Sequence, residues 1–164
     1  MGREWGMGWV IVAMLAGCGG AGVEAVEPGG DGAGMGWQDM DVSRPLPCPP
    51  GFVEGTFGPV MWTAQAASER WMHDERQVSR VRSSPARPVE VCGVDGQILW
   101  LMQLRCPDGR PPYRDPTTAH ESRAGNVGAG GRCGTIIDLY PVPCSDGVHE
   151  IYIDLYHCAP GEAF

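Results

Sequence analysis

The chain has 164 residues, with 12 basic against 20 acidic side chains and a net charge of −8. That balance argues against nucleic acid as a partner, and against attachment to anionic lipid headgroups through charge. The length accommodates one domain plus a tail.

Residues 1–17 have the layout of a secretory signal. One arginine, Arg3, precedes an apolar run from Trp9 to Ala16, and small residues then lead to a cysteine. The run is far shorter than the ~20 residues of a membrane-spanning helix. Leu15-Ala16-Gly17-Cys18 resembles the lipobox of bacterial lipoproteins and matches it at all four positions. This resemblance covers residues 1–20. It implies a diacylglyceryl group on the Cys18 thiol, cleavage between Gly17 and Cys18, and acylation of the new amino group. Membrane lipid is then a partner through acylated Cys18. Each buried acyl methylene contributes about 0.8 kcal/mol, so several chains hold firmly where a single one is reversible. Position 19 is Gly rather than Asp. By similarity to the sorting rule of enterobacterial lipoproteins, that implies the outer membrane of the cell envelope, with the domain on its periplasmic or surface face.

Residues 18–47 read as the lipidated N-terminus and a flexible acidic tether. Gly, Ala, Glu, Asp and Pro dominate, and there is no apolar period with which to offset ordering entropy. As a coil, such a segment reaches roughly 30 Å. Residues 48–164 are expected to form a cysteine-rich α+β domain: one long helix packed on a small antiparallel sheet of two β-hairpins, stapled by disulfides. The prolines around Cys48 favour an extended entry. From Pro59 onward, Val60, Ala64, Ala67, Trp71, Val78 and Val81 fall at helical steps and predict a helix of about six turns.

Residues 88–106 read as the first hairpin. Val89–Val94 is one arm, Asp95-Gly96 the turn, and Ile98–Leu104 a buried strand. Residues 107–134 read mostly as loop. Their glycine run, Gly125–Gly131, lacks the Lys-Ser/Thr and the flanking strand and helix that a phosphate loop needs. His120-Glu121 is a polar pair without a partner at a useful spacing. The second hairpin spans 135–158, with Thr135–Tyr140 and Glu150–Tyr156 as arms and Gly147 suited to a three-residue loop around Asp146.

Apart from Cys18, six cysteines remain: Cys48, Cys92, Cys106, Cys133, Cys144 and Cys158. An even number in an exported chain reads as disulfides. No C-x2-C pair occurs and the histidines are scattered, so no metal site and no cofactor is expected. The segments 92–106 and 144–158 have equal cysteine spacing and align as a turn and an apolar strand between cysteines. Two similar hairpins or coincidence both fit. A bridge within either segment is awkward, so bridges are expected between the segments, or to Cys48 and Cys133.

Ile-Asp-Leu-Tyr occurs twice, at 137–140 and 153–156. With Asp146 at the centre of the turn, Asp138 lies opposite Asp154 on one face, among Tyr140, Tyr152 and Tyr156. Ile137, Leu139, Ile151, Ile153 and Leu155 then share the core face. Two facing carboxylates repel unless a cation lies between them. The face fits an acid/base pair, a calcium site, an aromatic-rimmed carbohydrate groove or a plain solvated surface. An enzyme shows a convergent base, nucleophile and orienting group, and only this pair is present. The expected function is therefore that of a lipid-anchored envelope protein with a binding or structural role, non-enzymatic, its partner an envelope protein or a glycan. The alternatives are an envelope hydrolase using Asp138 and Asp154, and a calcium- or glycan-binding module on the same face.

Overall fold

A computed structural model describes residues 41–50, 60–61, 70–71, 74–162 and 164. The signal segment, Cys18, most of the tether and much of the expected helix over 59–81 lie outside the described residues. What is described is a small α+β domain with a mixed sheet and three disulfides.

The strand β1 is Val60–Met61, β2 is Val89–Glu90, β3 is Gly125–Gly130, β4 is Thr135–Cys144, β5 is Gly147–Asp154 and β6 is His157–Cys158. The helix α1 spans Gly93–Gln103 and α2 spans Pro116–Glu121. Four strands form one sheet in the order β2-β5-β4-β3, and β1 pairs with β6 in a second. β2 runs parallel to β5, whereas β4 runs antiparallel to its neighbours β3 and β5.

The hairpin β4–β5 is where the second hairpin was expected. Its arms are rich in Ile, Val and Tyr, which suit a pleated, half-buried surface. Its loop is shorter than expected. Cys144 pairs with Gly147 across a two-residue turn, and Gly147 takes a φ of 140°. That single residue resets the register: Asp138 faces Ile153, and Leu139 faces Tyr152. Because side chains alternate with period two, a one-residue slip exchanges the faces. The core face therefore carries Asp138, Tyr140 and Val142 with Ile151 and Ile153, all buried. Thr135, Ile137 and Asp154 are buried on the opposite face.

The first expected hairpin is replaced by β2 and α1. Asp95-Gly96 lies in the first turn of the helix rather than between strands. Gln97, Trp100, Leu101 and Leu104 are buried while Leu99 is 62% exposed, a period of three to four and not of two. Trp100, Leu101 and Leu104 join Ala119 of α2 and the core face of β4–β5 in one apolar cluster. Each fully buried aliphatic chain there contributes about 1.5–3 kcal/mol. The repeated cysteine spacing thus spans a helix in one segment and a strand in the other, so the two segments are not similar hairpins.

The long helix is likewise replaced where its residues are described. Val60–Met61 is a strand, and Val78–Arg80 is a single 3-10 turn. The backbone bonds of this stretch go to other elements. The Trp71 carbonyl accepts from Glu90 N at 3.3 Å, and Val78 N donates to the Arg105 carbonyl at 2.9 Å.

Residues 107–134 hold more structure than a loop. Asp115 caps α2 by accepting from Thr118 N at 2.8 Å, with Pro116 in the first turn. The glycine run is the edge strand β3, with a bulge between Asn126 and Ala129. Gly130 is required there, since a Cβ would lie 2.2 Å from the Pro85 carbonyl oxygen. The end of the tether docks as well. Val42 and Leu46 pack against the core, and the Arg44 carbonyl accepts from Arg87 Nε at 2.7 Å.

The six cysteines pair as Cys48–Cys133, Cys92–Cys158 and Cys106–Cys144. Two bridges run between the 92–106 and 144–158 segments, and none runs within them.

Candidate functional site

A cavity of about 330 Å³ opens between α1, the α2–β3 connection and the core face of β4. Val94 and Gln97 of α1 form one wall, and Ile136, Asp138 and Tyr140 of β4 form another. His120, Arg123 and Asn126 contribute from α2, the connection after it and β3, and Leu155, Tyr156 and Phe164 close the rim. The size is that of a small-molecule site, and so is the composition of apolar walls with a few polar groups.

The charged part of the wall is one ion pair. Arg123 Nη2 donates to Asp138 Oδ1 at 2.6 Å, with the carboxylate 4% exposed and the guanidinium 41%. The bond to Asp138 raises the Arg123 pKa further above its ordinary value. Asp138 is thus balanced locally, and the pair adds no net charge to the cavity.

Two neutral groups in the wall are not balanced. The Tyr140 hydroxyl and Gln97 Nε2 are buried and have no hydrogen-bond partner among the described residues. A buried polar group left in this state costs about 1–3 kcal/mol. Burial first, then the charge of Asp138, pushes the Tyr140 hydroxyl well above the ordinary range of tyrosine, with Arg123 opposing. The phenol therefore stays protonated and is a donor at neutral pH. At the rim, the Tyr156 and Phe164 rings stack with centroids 5.3 Å apart.

Asp154 belongs to a different assembly on the other face of the sheet. It accepts from the His157 ring Nε2 at 2.7 Å, from Tyr156 N at 3.0 Å and from the Thr135 hydroxyl. Beside it, Glu90 takes a two-pronged pair from Arg132, Nε to Oε1 at 2.6 Å and Nη2 to Oε2 at 2.7 Å. Glu90 also accepts from Trp71 N at 3.0 Å. Glu90, Asp154 and His157 are at most 2% exposed. Gly131 is held against this cluster, where a Cβ would come within 3.0 Å of Asp154 Oδ2 at a φ of +65°. The cluster ties β2, β5, β6 and the β3–β4 turn together, and the side chains of Glu90, Arg132, Asp154 and His157 line neither the cavity described above nor the one that follows.

A second cavity of about 400 Å³ lies on the other flank of α1, beside Trp100 and the exposed Leu99. Of its charged side chains, Arg70 pairs with Glu162, and Arg76 Nε donates to Gln103 at 2.6 Å. Among the described residues, one cluster has metal-ligand proximity, formed by Cys144, Asp146 and His149. The Cys144 sulfur is bonded to Cys106, which leaves an Asp146–His149 pair at 3.1 Å and no thiolate. A calcium site between Asp138 and Asp154 is ruled out by the register, which places them on opposite faces.

Of the residues singled out from sequence, Asp138, Tyr140 and Tyr156 meet at the first cavity. Tyr152 and Asp154 do not. Tyr152 lies on the outer face, its hydroxyl 3.2 Å from Glu150. Gln97, Arg123 and Asn126 escaped the sequence reading. Gln97 had a signal, being the one polar side chain on the buried stripe of α1, but that stripe was read as a strand. The chain matches no known family model, and no curated protein and no solved structure is significantly similar to it.

Proposed function

We propose that the protein is a lipid-anchored cell-envelope protein with a binding role, non-enzymatic, held in the outer membrane through acylated Cys18. The observation that carries this reading is the partition of the cysteines. Three bridges use Cys48, Cys92, Cys106, Cys133, Cys144 and Cys158. The seventh, Cys18, is the one that stands in Leu15-Ala16-Gly17-Cys18. A bridge-rich domain suits an oxidising compartment outside the cytosol, and the odd cysteine falls at the position of the lipid attachment. The hydrolase alternative loses its support, because the two carboxylates it needs point away from each other across the sheet. The binding role draws on the cavity beside Tyr140. Detergent phase partitioning tests the anchor: the wild type enters the detergent phase and Cys18→Ser stays in the aqueous phase with its leader uncut. Identical partitioning and migration would contradict it.

A further inference from the structure

We propose that the cavity beside Tyr140 is a binding site for a neutral N-acetylated saccharide, with Tyr140 and Gln97 donating to its acceptor oxygens. The inference rests on the binding half of the reading above and is independent of the lipid anchor.

The first observation is the state of the two groups. Tyr140 and Gln97 line the same small cavity, and the phenol of the one and the amide nitrogen of the other are buried and lack partners among the described residues. Folding leaves such groups unpaired only at a cost, and a ligand that accepts from both removes it. Both groups donate, so the ligand must present acceptors: a carbonyl or hydroxyl oxygen.

The second observation is charge. Asp138 and Arg123 neutralise each other in the wall. A carboxylate ligand would meet Asp138, a cationic one would meet Arg123, and a neutral ligand meets neither penalty. The third is the shape of the lining. Val94, Ile136 and Leu155 offer an apolar surface, and the Tyr156–Phe164 stack lies at the rim. A pyranose has an apolar face that packs on aromatic rings and an edge of hydroxyls. An acetamido group adds a carbonyl acceptor and a methyl that fits the aliphatic wall. The volume admits one such sugar ring and not a long chain.

The experiment uses the purified full-length chain with N-acetyl-D-glucosamine, D-glucose and D-glucosamine as probes. Binding is followed by calorimetry and by the shift in melting temperature. N-acetyl-D-glucosamine is expected to bind and to raise the melting temperature, with glucose weaker and the cationic glucosamine weakest. Tyr140→Phe and Gln97→Met are each expected to weaken N-acetyl-D-glucosamine by about tenfold, the size of one lost hydrogen bond. Without sugar, Tyr140→Phe should melt at or above the wild type, because the hydroxyl it removes has no partner among the described residues. A Tyr140→Phe chain melting several degrees lower would mean that the hydroxyl is paired internally, and would overturn the site. Undiminished sugar binding by both variants would place the sugar elsewhere, with the same consequence. If Tyr140→Phe is as stable as expected but no sugar binds, the saccharide assignment is overturned while a binding role for the protein stands.

Discussion

Asp138 of β4 lies directly across from Ile153 of β5, so Asp154, the next residue along, points to the other face of the sheet. The two aspartates therefore have separate duties. Asp138 is held by a half-exposed arginine beside a cavity, and Asp154 is sealed among three donors.

This difference is measurable. Asp154→Asn places an amide among groups that all donate, and breaking a buried charged network of this kind costs about 3–5 kcal/mol. Asp138→Asn disturbs a pair open to water on the Arg123 side and should cost only about 1 kcal/mol. Urea unfolding of both variants checks the order. A larger loss in Asp138→Asn would contradict the register.

The pair between Glu90 and Arg132 is bidentate and buried. Glu90→Gln and Arg132→Gln should each destabilise by about 3–5 kcal/mol, because each breaks the buried bidentate pair from one side. The double variant should lose clearly less than the sum of the two. Arg132→Lys should not restore stability, since an ammonium cannot reproduce the planar fork. Strict additivity in a double-mutant cycle would show that the two side chains do not act as a pair.

How much of this was legible in the sequence depended on the kind of signal. The β4–β5 hairpin was legible because Ile, Val and Tyr crowd both arms around a glycine. Its register was not, because Ile137 and Asp138 are both buried: the start of β4 is covered on both faces, which erases the alternation that would fix it. The helix α1 was hidden by Asp95-Gly96, a pair that resembles a hairpin turn, and by an apolar run from Ile98 to Met102 that fits either period. The buried Gln97 and the exposed Leu99 decide between the periods, and neither is visible before the fold is known. The strand β3 has almost no side chains to read. Gly130 is dictated by the approach of Pro85, a contact across more than forty residues of sequence, and Gly125 and Gly128 by their positive φ.

The disulfides give a prediction in two parts. Non-reducing peptide mapping should recover Cys48 with Cys133, Cys92 with Cys158, and Cys106 with Cys144. Replacing both members of any one bridge by Ala should cost about 4 kcal/mol, since closed loops of these sizes differ little in closure entropy. A linkage between Cys92 and Cys106 would contradict the helix between them.

Alkaline pH probes Tyr140. Its hydroxyl titrates at a higher pH in the folded chain than the ordinary value of 10.0, because burial disfavours the phenolate. The folded state thus binds this proton more tightly than the unfolded state. The contribution is fully present below pH 10 and is lost as pH rises through the folded value. Stability of the wild type should fall above pH 10, and Tyr140→Phe should fall less steeply. Equal slopes in chemical denaturation between pH 9 and 11 would show that the phenol is not buried as described.

The anchor is tested most directly by the mass of the N-terminal peptide from protein extracted out of membranes. A peptide beginning at Cys18 and carrying a diacylglyceryl thioether and an N-acyl chain is the expected result. A peptide beginning elsewhere, or an unmodified Cys18, would contradict the proposal that this chain is lipid-anchored in the envelope.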